Sequence, residues 1–409
     1  PGHIKAITQL PILSSLSIAP PKKQKLYSIY YDTPDLLLRN QRCSLRIRRI
    51  GKQWIQTIKS GGNITAGLHQ HNESEIPLNK AQPDLDHLQQ TGVITLAQQR
   101  KIIRTLKPIF ITQFTRDTHT LQTKDGSIIE FCLDHGKITA DHLNDSIHEI
   151  ELELKSGNSA QLFQLALDIA QLTDFPIQLE NVNKAERGYK LFTGDRTPPT
   201  KAASIEINTK TPFLDALSKI LSSCLLQLTK NENGVLFSED PEYLHQMRVV
   251  IRRLRSAFII FKPLFSEQHQ SITFFEQELK WLMHLLSPVR NWYVFANEIL
   301  PPIISSCPDV EPIKVIQKLG QKQLSKYTQQ VQTNLQSKRY LTLILKLNLW
   351  IYDLHHDIKL ESNISIGSFS RSYLLDQHSA ITKNKEKLEK MKPAALHALR
   401  IQIKKQRYA

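Results

Sequence analysis

The chain has 409 residues, 40% hydrophobic and 22% charged, a soluble globular composition long enough for two domains that each bury a core. No run of eighteen apolar residues occurs, so no segment reads as membrane-spanning. A formal charge of +15 and a pI near 9.5 point to acidic partners such as nucleic acid, phosphates or anionic lipid. The excess is uneven: residues 1–200 hold 24 Lys and Arg against 20 Asp and Glu, and residues 201–409 hold 29 against 18. Cys43, Cys132, Cys224 and Cys307 are scattered without a CxxC or paired spacing. That argues against a disulfide framework or zinc site and fits a reducing cytoplasm. No basic-plus-apolar leader opens the chain. It begins at Pro1 and stops at Ala409 inside a helical pattern, and so reads as a fragment.

Seven strands are predicted, at Leu26–Asp32, Cys43–Ile50, Gln53–Ser60, Gln70–Pro77, Ile109–Asp117, Ser127–His135 and Ile147–Lys155. Gly61-Gly62, Asp125-Gly126 and His135-Gly136 supply turn chemistry between several of them. Helices are predicted near Leu96–Leu106 and Ser159–Leu172, the latter with the stripe Leu162, Leu165, Ile169 and Leu172. Gly194–Thr200 reads as a linker, and from about Thr211 the pattern is helical throughout. The expected organisation is a β-rich domain over 1–196, a linker over 197–204 and an all-α domain over 205–409.

Period-2 alternation puts unusual sets of charges on single strand faces. Arg46 with Arg48, Glu73 with Glu75, Glu130 with Asp134, and Glu149, Glu151, Glu153 with Lys155 each share a face. Leu45, Ile47, Ile129, Phe131, Leu133, Ile150, Leu152 and Leu154 occupy the opposite faces. One reading is a sheet with one solvated face. The other is an inside-out barrel with a charged lumen and an apolar exterior under helices. Segregation into basic and acidic strands favours the second. Such a lumen suits a triphosphate, because Arg and Lys neutralise phosphoryl oxygens while clustered carboxylates hold a hard divalent cation.

YYDTPDLLLRNQRCSLRIRR, WIQTIKSGG, ESEIPL, FITQFTRDT, EIELELKSG and NKAERGYKLF follow one another over about Lys25–Thr193 and resemble the CYTH domain of the triphosphate tunnel metalloenzymes. The resemblance implies an antiparallel eight-stranded tunnel that hydrolyses triphosphates with Mg or Mn. It implies phosphate binding by Arg46, Arg48, Lys59, Arg116, Lys184 and Arg187, and a metal side of Glu73, Glu75, Asp134, Glu149, Glu151 and Glu153. The family's first strand, with its Glu-x-Glu-x-Lys motif, is not found in this chain. The tunnel is therefore expected to have a gap and two unpaired edges, the chain as given to be N-terminally truncated, and its activity to hang on that absent strand.

In the second half, His245, Arg248, Arg252 and Arg255 recur at i, i+3, i+7 and i+10, one face of a helix. Leu244, Met247, Ile251, Leu254 and Phe258 form the other face. His397, Arg400, Lys404 and Arg407 repeat the spacing, which suggests a duplicated bundle whose two basic helices meet across a pseudo-twofold. A solvated helix face would intersperse acids, and neither stripe has one. LHQMRVVIRRLRSAFIIF, SPVRNWYVF and LHALRIQIKKQRYA resemble the CHAD domain, over about Thr211–Ala409. The resemblance implies inorganic polyphosphate binding by Arg248, Arg252, Arg253, Arg255, Arg290, Arg400, Lys404, Lys405 and Arg407, with His245 and His397 on the same faces. The family pattern carries acids where this chain has Asn291 and Tyr293, so Arg290 is expected to lack its orienting partners. The C-terminal helix is expected to be cut at Ala409.

The fold expectation is thus α+β: an antiparallel β-tunnel without its first strand, then an all-α helical bundle. The function expected is a cytoplasmic, metal-dependent inorganic triphosphatase with a polyphosphate-binding domain and no membrane partner. The alternative is a non-catalytic polyphosphate-binding scaffold with a degenerate tunnel. A tunnel acting on an organic triphosphate is disfavoured by the fusion. Nucleic acid is disfavoured because the basic stripes carry only Tyr408 as an aromatic.

Overall fold

A computed structural model describes all residues except 1, 66–67, 266–268, 307–309, 357–363, 384–387, 389 and 409. The chain divides into two compact units, Pro1–Pro198 and Pro199–Ala409. Cys43, Cys132 and Cys224 are buried free thiols, and Cys307 lies outside the described residues.

The first unit is built on β1 (Lys22–Asp32), β2 (Cys43–Ile50), β3 (Gln53–Thr65), β4 (Leu68–Leu78), β5 (Lys107–Gln122), β6 (Ile128–Ala140) and β7 (Leu143–Ser156). They form one antiparallel sheet in the order β4-β3-β2-β1-β5-β6-β7, which is not closed. All seven predicted strands are present. Several run longer than their apolar alternation, β5 most of all, because Thr118-His119-Thr120 continues the ladder with polar side chains.

The sheet has one apolar face and one charged face. On the apolar side, α1 (Gly2–Thr8), α2 (Pro11–Leu16) and α6 (Ala160–Leu172) cover Leu121, Ile129, Phe131 and Leu133 through Leu13, Leu162, Leu165 and Ile169. Further along, α3 (Leu37–Asn40), α4 (Leu85–Gln90) and α5 (Leu96–Thr105) cover Leu45, Ile47 and Ile58 through Leu38, Leu88 and Ile102. Each buried Leu or Ile contributes roughly 1.5–3 kcal/mol, so these layers fix which strand face is left for the charges.

One helix lies on the other face. α7 (Lys184–Thr193) starts at Asn183, whose side chain accepts the Glu186 amide, and ends at Gly194 with φ 72°, a standard N-cap and a left-handed stop. Its Tyr189 packs with Leu26, Tyr30, Phe110, Phe114 and Ile138. Gly188 is pressed so close that a Cβ there would lie 2.2 Å from Phe110 Cε2. The fully buried Asp32 accepts the amides of Thr33, Leu38 and Arg39 at 2.7, 2.9 and 3.0 Å and the Tyr189 hydroxyl at 3.0 Å. The end of β1, the α3 turn and α7 are thereby tied to one carboxylate.

The second unit is helical: α8 (Phe213–Phe237), α9 (Pro241–Phe261), α10 (His269–Val294), a π-turn (Phe295–Ile299), α11 (Leu300–Ser306), α12 (Glu311–Leu335), α13 (Lys338–His356), α14 (Ile366–Thr382) and α15 (Pro393–Tyr408). Leu221, Leu225 and Leu228 of α8, Met247, Ile251 and Leu254 of α9, Leu282 and Leu286 of α10, and Leu343 and Leu347 of α13 are fully buried. The predicted apolar stripe of α9 is therefore core. The N-cap residues of α8 and α14, Pro212 and Ser365, form an antiparallel bridge. The Phe213 amide donates to Ile364 O at 3.0 Å, and the Ile366 amide to Thr211 O at 2.9 Å. Reciprocal pairing of this kind is what a local twofold between two helix starts requires. Pro212 and Ser365 are also spaced nearly as His245 and His397 are. α15 touches α9, with Leu399 buried.

Candidate active site and basic helix face

Strand register assembles the charged face. Arg46 pairs across to Tyr30 and Thr57, and Arg48 to Ser28. Thr57 in turn faces Glu75, and Lys59 faces Glu73. On the other side of β1, Arg116 faces Asp134, which faces Glu149, while Glu151 stands opposite Cys132. The face therefore has a predominantly basic wing on β2–β4 and an acidic wing on β6–β7.

In the basic wing, Arg46 is 3.1 Å from Glu73 and 3.7 Å from Glu75, and Lys59 is 3.0 Å from Glu73. The Thr57 hydroxyl donates to Glu75 at 2.6 Å. Burial pushes the Glu73 carboxyl up, but Lys59 and Arg46 outweigh it and hold the group below its ordinary value. Arg48 differs from its neighbours. Its Nε donates to Ser28 Oγ at 3.0 Å, and no carboxylate among the described residues lies within ion-pair distance. Burial, and next the like charge of Arg46, push its guanidinium down to about 10.

In the acidic wing, Arg116 grips Asp134 bidentately at 2.7 and 2.6 Å and also bonds Glu151. Lys184 reaches down from the first position of α7 to Asp134 at 2.7 Å, Glu151 at 2.6 Å and Glu149. Arg187, one turn along, holds Asp145 at 2.7 Å and Glu149 at 3.3 Å. Burial would push Glu151 up, yet Lys184 and Arg116 hold it well below the ordinary carboxylate range. Burial leaves Glu149 raised despite Lys184. Lys184 itself is raised, because Glu151, Asp134 and Glu149 outweigh the cost of its burial.

The two wings meet at Phe114. Arg48, Arg116 and Lys184 lie 5.9, 5.7 and 5.2 Å from its ring centroid, within cation–π range. Three cations around one ring form a seat for an anion. Phe114, Ser28, Tyr30, Thr57 and Asp145 were not singled out in the sequence. A hydroxyl or aromatic in a strand reads as filler, and only the spacing of Phe114 two residues before Arg116 hinted at a shared face.

Of the six carboxylates expected on the metal side, Asp134, Glu149 and Glu151 come together, each offering an oxygen within 4.8 Å of the others. Three hard oxygen donors fit a hard divalent cation. Glu73 and Glu75 stand instead in the basic wing. Glu153 is turned to Lys155 at 2.9 Å, which also holds Glu130 at 3.0 Å.

On the helical unit, His245, Arg248, Arg252 and Arg255 are half-buried along α9. Arg248 donates to Ser287 Oγ at 2.6 Å. Burial, then Arg252 and Arg290, lower its ordinary value, which places Arg290 of α10 beside this face. Arg253 turns away and donates to Gln227 on α8 at 2.6 Å. Arg290 has an acid partner after all: Glu298, at 3.3 Å, with Tyr293 under the guanidinium at 5.7 Å. The π-turn makes that pairing. The Leu300 amide bonds Phe295 O, five residues back, ahead of Pro301-Pro302. The extra residue brings Glu298 onto the Arg290 side. His397 and Arg400 are exposed on α15, whereas the side chains of Lys404, Lys405 and Arg407 lie outside the described residues.

Family models match both units, the CYTH domain over residues 3–189 and the CHAD domain over residues 219–409. The chain carries a CYTH domain followed by a CHAD domain. It is 37% identical over 166 residues to the inorganic triphosphatase of Haemophilus influenzae, an alignment that covers 41% of this chain and 46% of that protein. The chain thus matches about half the length of this curated relative. The CHAD domain crystal structure from Ricinus communis is 28% identical, covering 52% of this chain and 68% of that one with a TM-score of 0.44. HpAC1 of Hippeastrum, described with a dominant triphosphatase activity, is 14% identical, covering 48% of this chain and 93% of that one with a TM-score of 0.31. No helix among the described residues is long and apolar enough to cross a membrane.

Proposed function

We propose that the CYTH domain hydrolyses inorganic triphosphate with Mg or Mn, and that the CHAD domain holds inorganic polyphosphate. The observation that carries the first half is the juxtaposition at Phe114. Arg48, an arginine with no carboxylate partner among the described residues, shares one aromatic ring with two cations that grip a carboxylate trio. In this reading Arg46, Arg48, Lys59 and Arg116 bind the phosphoryl oxygens, and their fixed charges stabilise the negative charge that develops in transfer. Asp134, Glu149 and Glu151 would hold the metal, which when bound supplies charge neutralisation and an acidified water. Arg187, engaged with Asp145, orients Glu149.

The deciding experiment is phosphate release from tripolyphosphate compared with ATP, with and without chelator. Faster release from tripolyphosphate, abolished by chelation, is expected. Equal or greater ATP turnover, or turnover in excess chelator, defeats this reading. A non-catalytic polyphosphate scaffold is the second reading, favoured by the unclosed sheet. Binding without turnover would select it.

For the CHAD domain the support is the face of Arg248, Arg252 and Arg255 on α9. Among the described residues no carboxylate lies within ion-pair distance of these three arginines, whereas Arg290 beside them and Lys262, Lys314 and Arg339 elsewhere in the unit are paired. Uncompensated cations at helical spacing gain affinity for a linear polyanion by counterion release. His245, Arg290, His397, Arg400, Lys404, Lys405 and Arg407 complete the proposed set. Arg253 is engaged with Gln227 and contributes to the field rather than to contact.

A further inference from the structure

The carboxylate trio already has two cations on it: Arg116 of β5 bonds Asp134 and Glu151, and Lys184 touches all three carboxylates. Lys184 Nζ contacts an oxygen of Asp134, of Glu149 and of Glu151, and those three residues offer oxygens within 4.8 Å of one another. The lysine is only 9% exposed, so the ammonium is seated and not passing through. Lys184 is the cation common to all three carboxylates, so its ammonium holds the position between them. Placing a divalent ion beside an ammonium at that separation is strongly repulsive in a poorly solvated site.

Lys184 is also built to leave. Its backbone is fixed at the start of α7 by the Asn183 cap, while a four-carbon stem carries a compact charge that can swing without moving the helix. Beside it lie the Phe114 ring and the guanidinium groups of Arg48 and Arg116. Of these cations Arg48 is the one with no carboxylate within ion-pair distance among the described residues, and an anion placed beside it offers the displaced ammonium a new partner.

We infer that Lys184 is the resident counterion of the trio: a divalent cation enters by displacing its ammonium, and the displaced ammonium is thereby presented to the phosphate oxygens of the substrate. Metal and triphosphate then bind with positive coupling, because each stabilises the lysine position that the other requires. This inference rests on the proposed reading of the trio as the metal-holding group, and the test separates the two.

Mn2+ binding to the full chain is measured by electron paramagnetic resonance without any phosphate, for wild type, K184Q and K184R. K184Q is expected to bind Mn2+ at least ten-fold more tightly than wild type, and K184R no more tightly. If K184Q folds, by circular dichroism, and binds within two-fold of wild type or more weakly, the exchange is overturned. If neither protein binds Mn2+, the metal reading of the trio fails and the exchange with it. Should K184Q not fold, the Lys184 ammonium resonance of 15N-lysine-labelled wild type, assigned by its absence in K184R, gives the answer. It is expected to shift on saturation with Mg2+, and an unmoved resonance overturns the proposal.

Discussion

The two domains handle positive charge in opposite ways. On the CYTH sheet nearly every cation of the candidate site is already compensated: Arg46 and Lys59 by Glu73, Arg116 by Asp134, and Lys184 by three carboxylates, with Arg48 the exception. On α9 of the CHAD domain, Arg252 and Arg255 stand on a helix face that also carries Arg248, and their neighbour Arg290 is the member with an acid. Compensated cations are held in place and can exchange one anion for another at low cost. Uncompensated ones repel each other until a polyanion arrives. The first arrangement suits repeated binding and release of a small substrate, and the second suits retention of a long one.

The sharpest way to break this contrast is to remove its exception. Arg48→Ala should cost the triphosphatase reaction at least about 100-fold, roughly 3 kcal/mol, with the circular dichroism spectrum unchanged. Phosphate release within two-fold of wild type would dissolve the basic wing as a substrate site. On the CHAD side, Arg252→Glu with Arg255→Glu should flatten the slope of log affinity for polyphosphate against log salt by about 2. The same reversal at exposed Lys318 should leave it almost unchanged. Competition with single-stranded RNA of equal charge sharpens the assignment, and displacement of polyphosphate by RNA would count against it.

The α7 contact comes next. Gly188→Ala places a Cβ into the Phe110 ring, and overpacking of this kind costs about 1–3 kcal/mol. The measurement is a denaturant midpoint. The smallest effect is a pH slope. Glu151 is held below the ordinary carboxylate range in the folded protein, so its stabilising share is complete above the unfolded value, about 4.3. It declines as the pH falls below that toward the depressed folded value. Stability measured from pH 6 to 3 should therefore fall less steeply in Glu151→Gln than in wild type, and parallel curves would refute the pairing.

Much of the sheet was legible in the sequence, because Arg46-x-Arg48 and Glu149-x-Glu151-x-Glu153 announce both the strand period and the charged face. What alternation could not reveal was partner choice. Glu153 shares the pattern of Glu149 and Glu151 but ends beside Lys155, since position along the strand decides which residues α7 can reach. α7 itself went unpredicted, although Asn183 with Glu186 three residues on, and Gly194 at the end, are recognisable start and stop signals. The CHAD stripes were legible from helical spacing alone. Arg290's partner was not, because the acids were expected at 291 and 293, whereas Glu298 lies two turns on in a π-turn that changes the count of residues per turn.

The unclosed sheet carries a consequence of parity. Seven strands, each antiparallel to its neighbour, leave the outer pair, β4 and β7, running in the same direction. Brought directly together they could form only a parallel ladder, which is slightly less stable per residue and out of keeping with the rest of the sheet. One additional strand of opposite direction meets both edges with the hydrogen-bond pattern they already use, and it satisfies two rows of open amide and carbonyl groups at once. The sheet therefore specifies the polarity of any single segment that completes it, which must run as β1, β3 and β6 do.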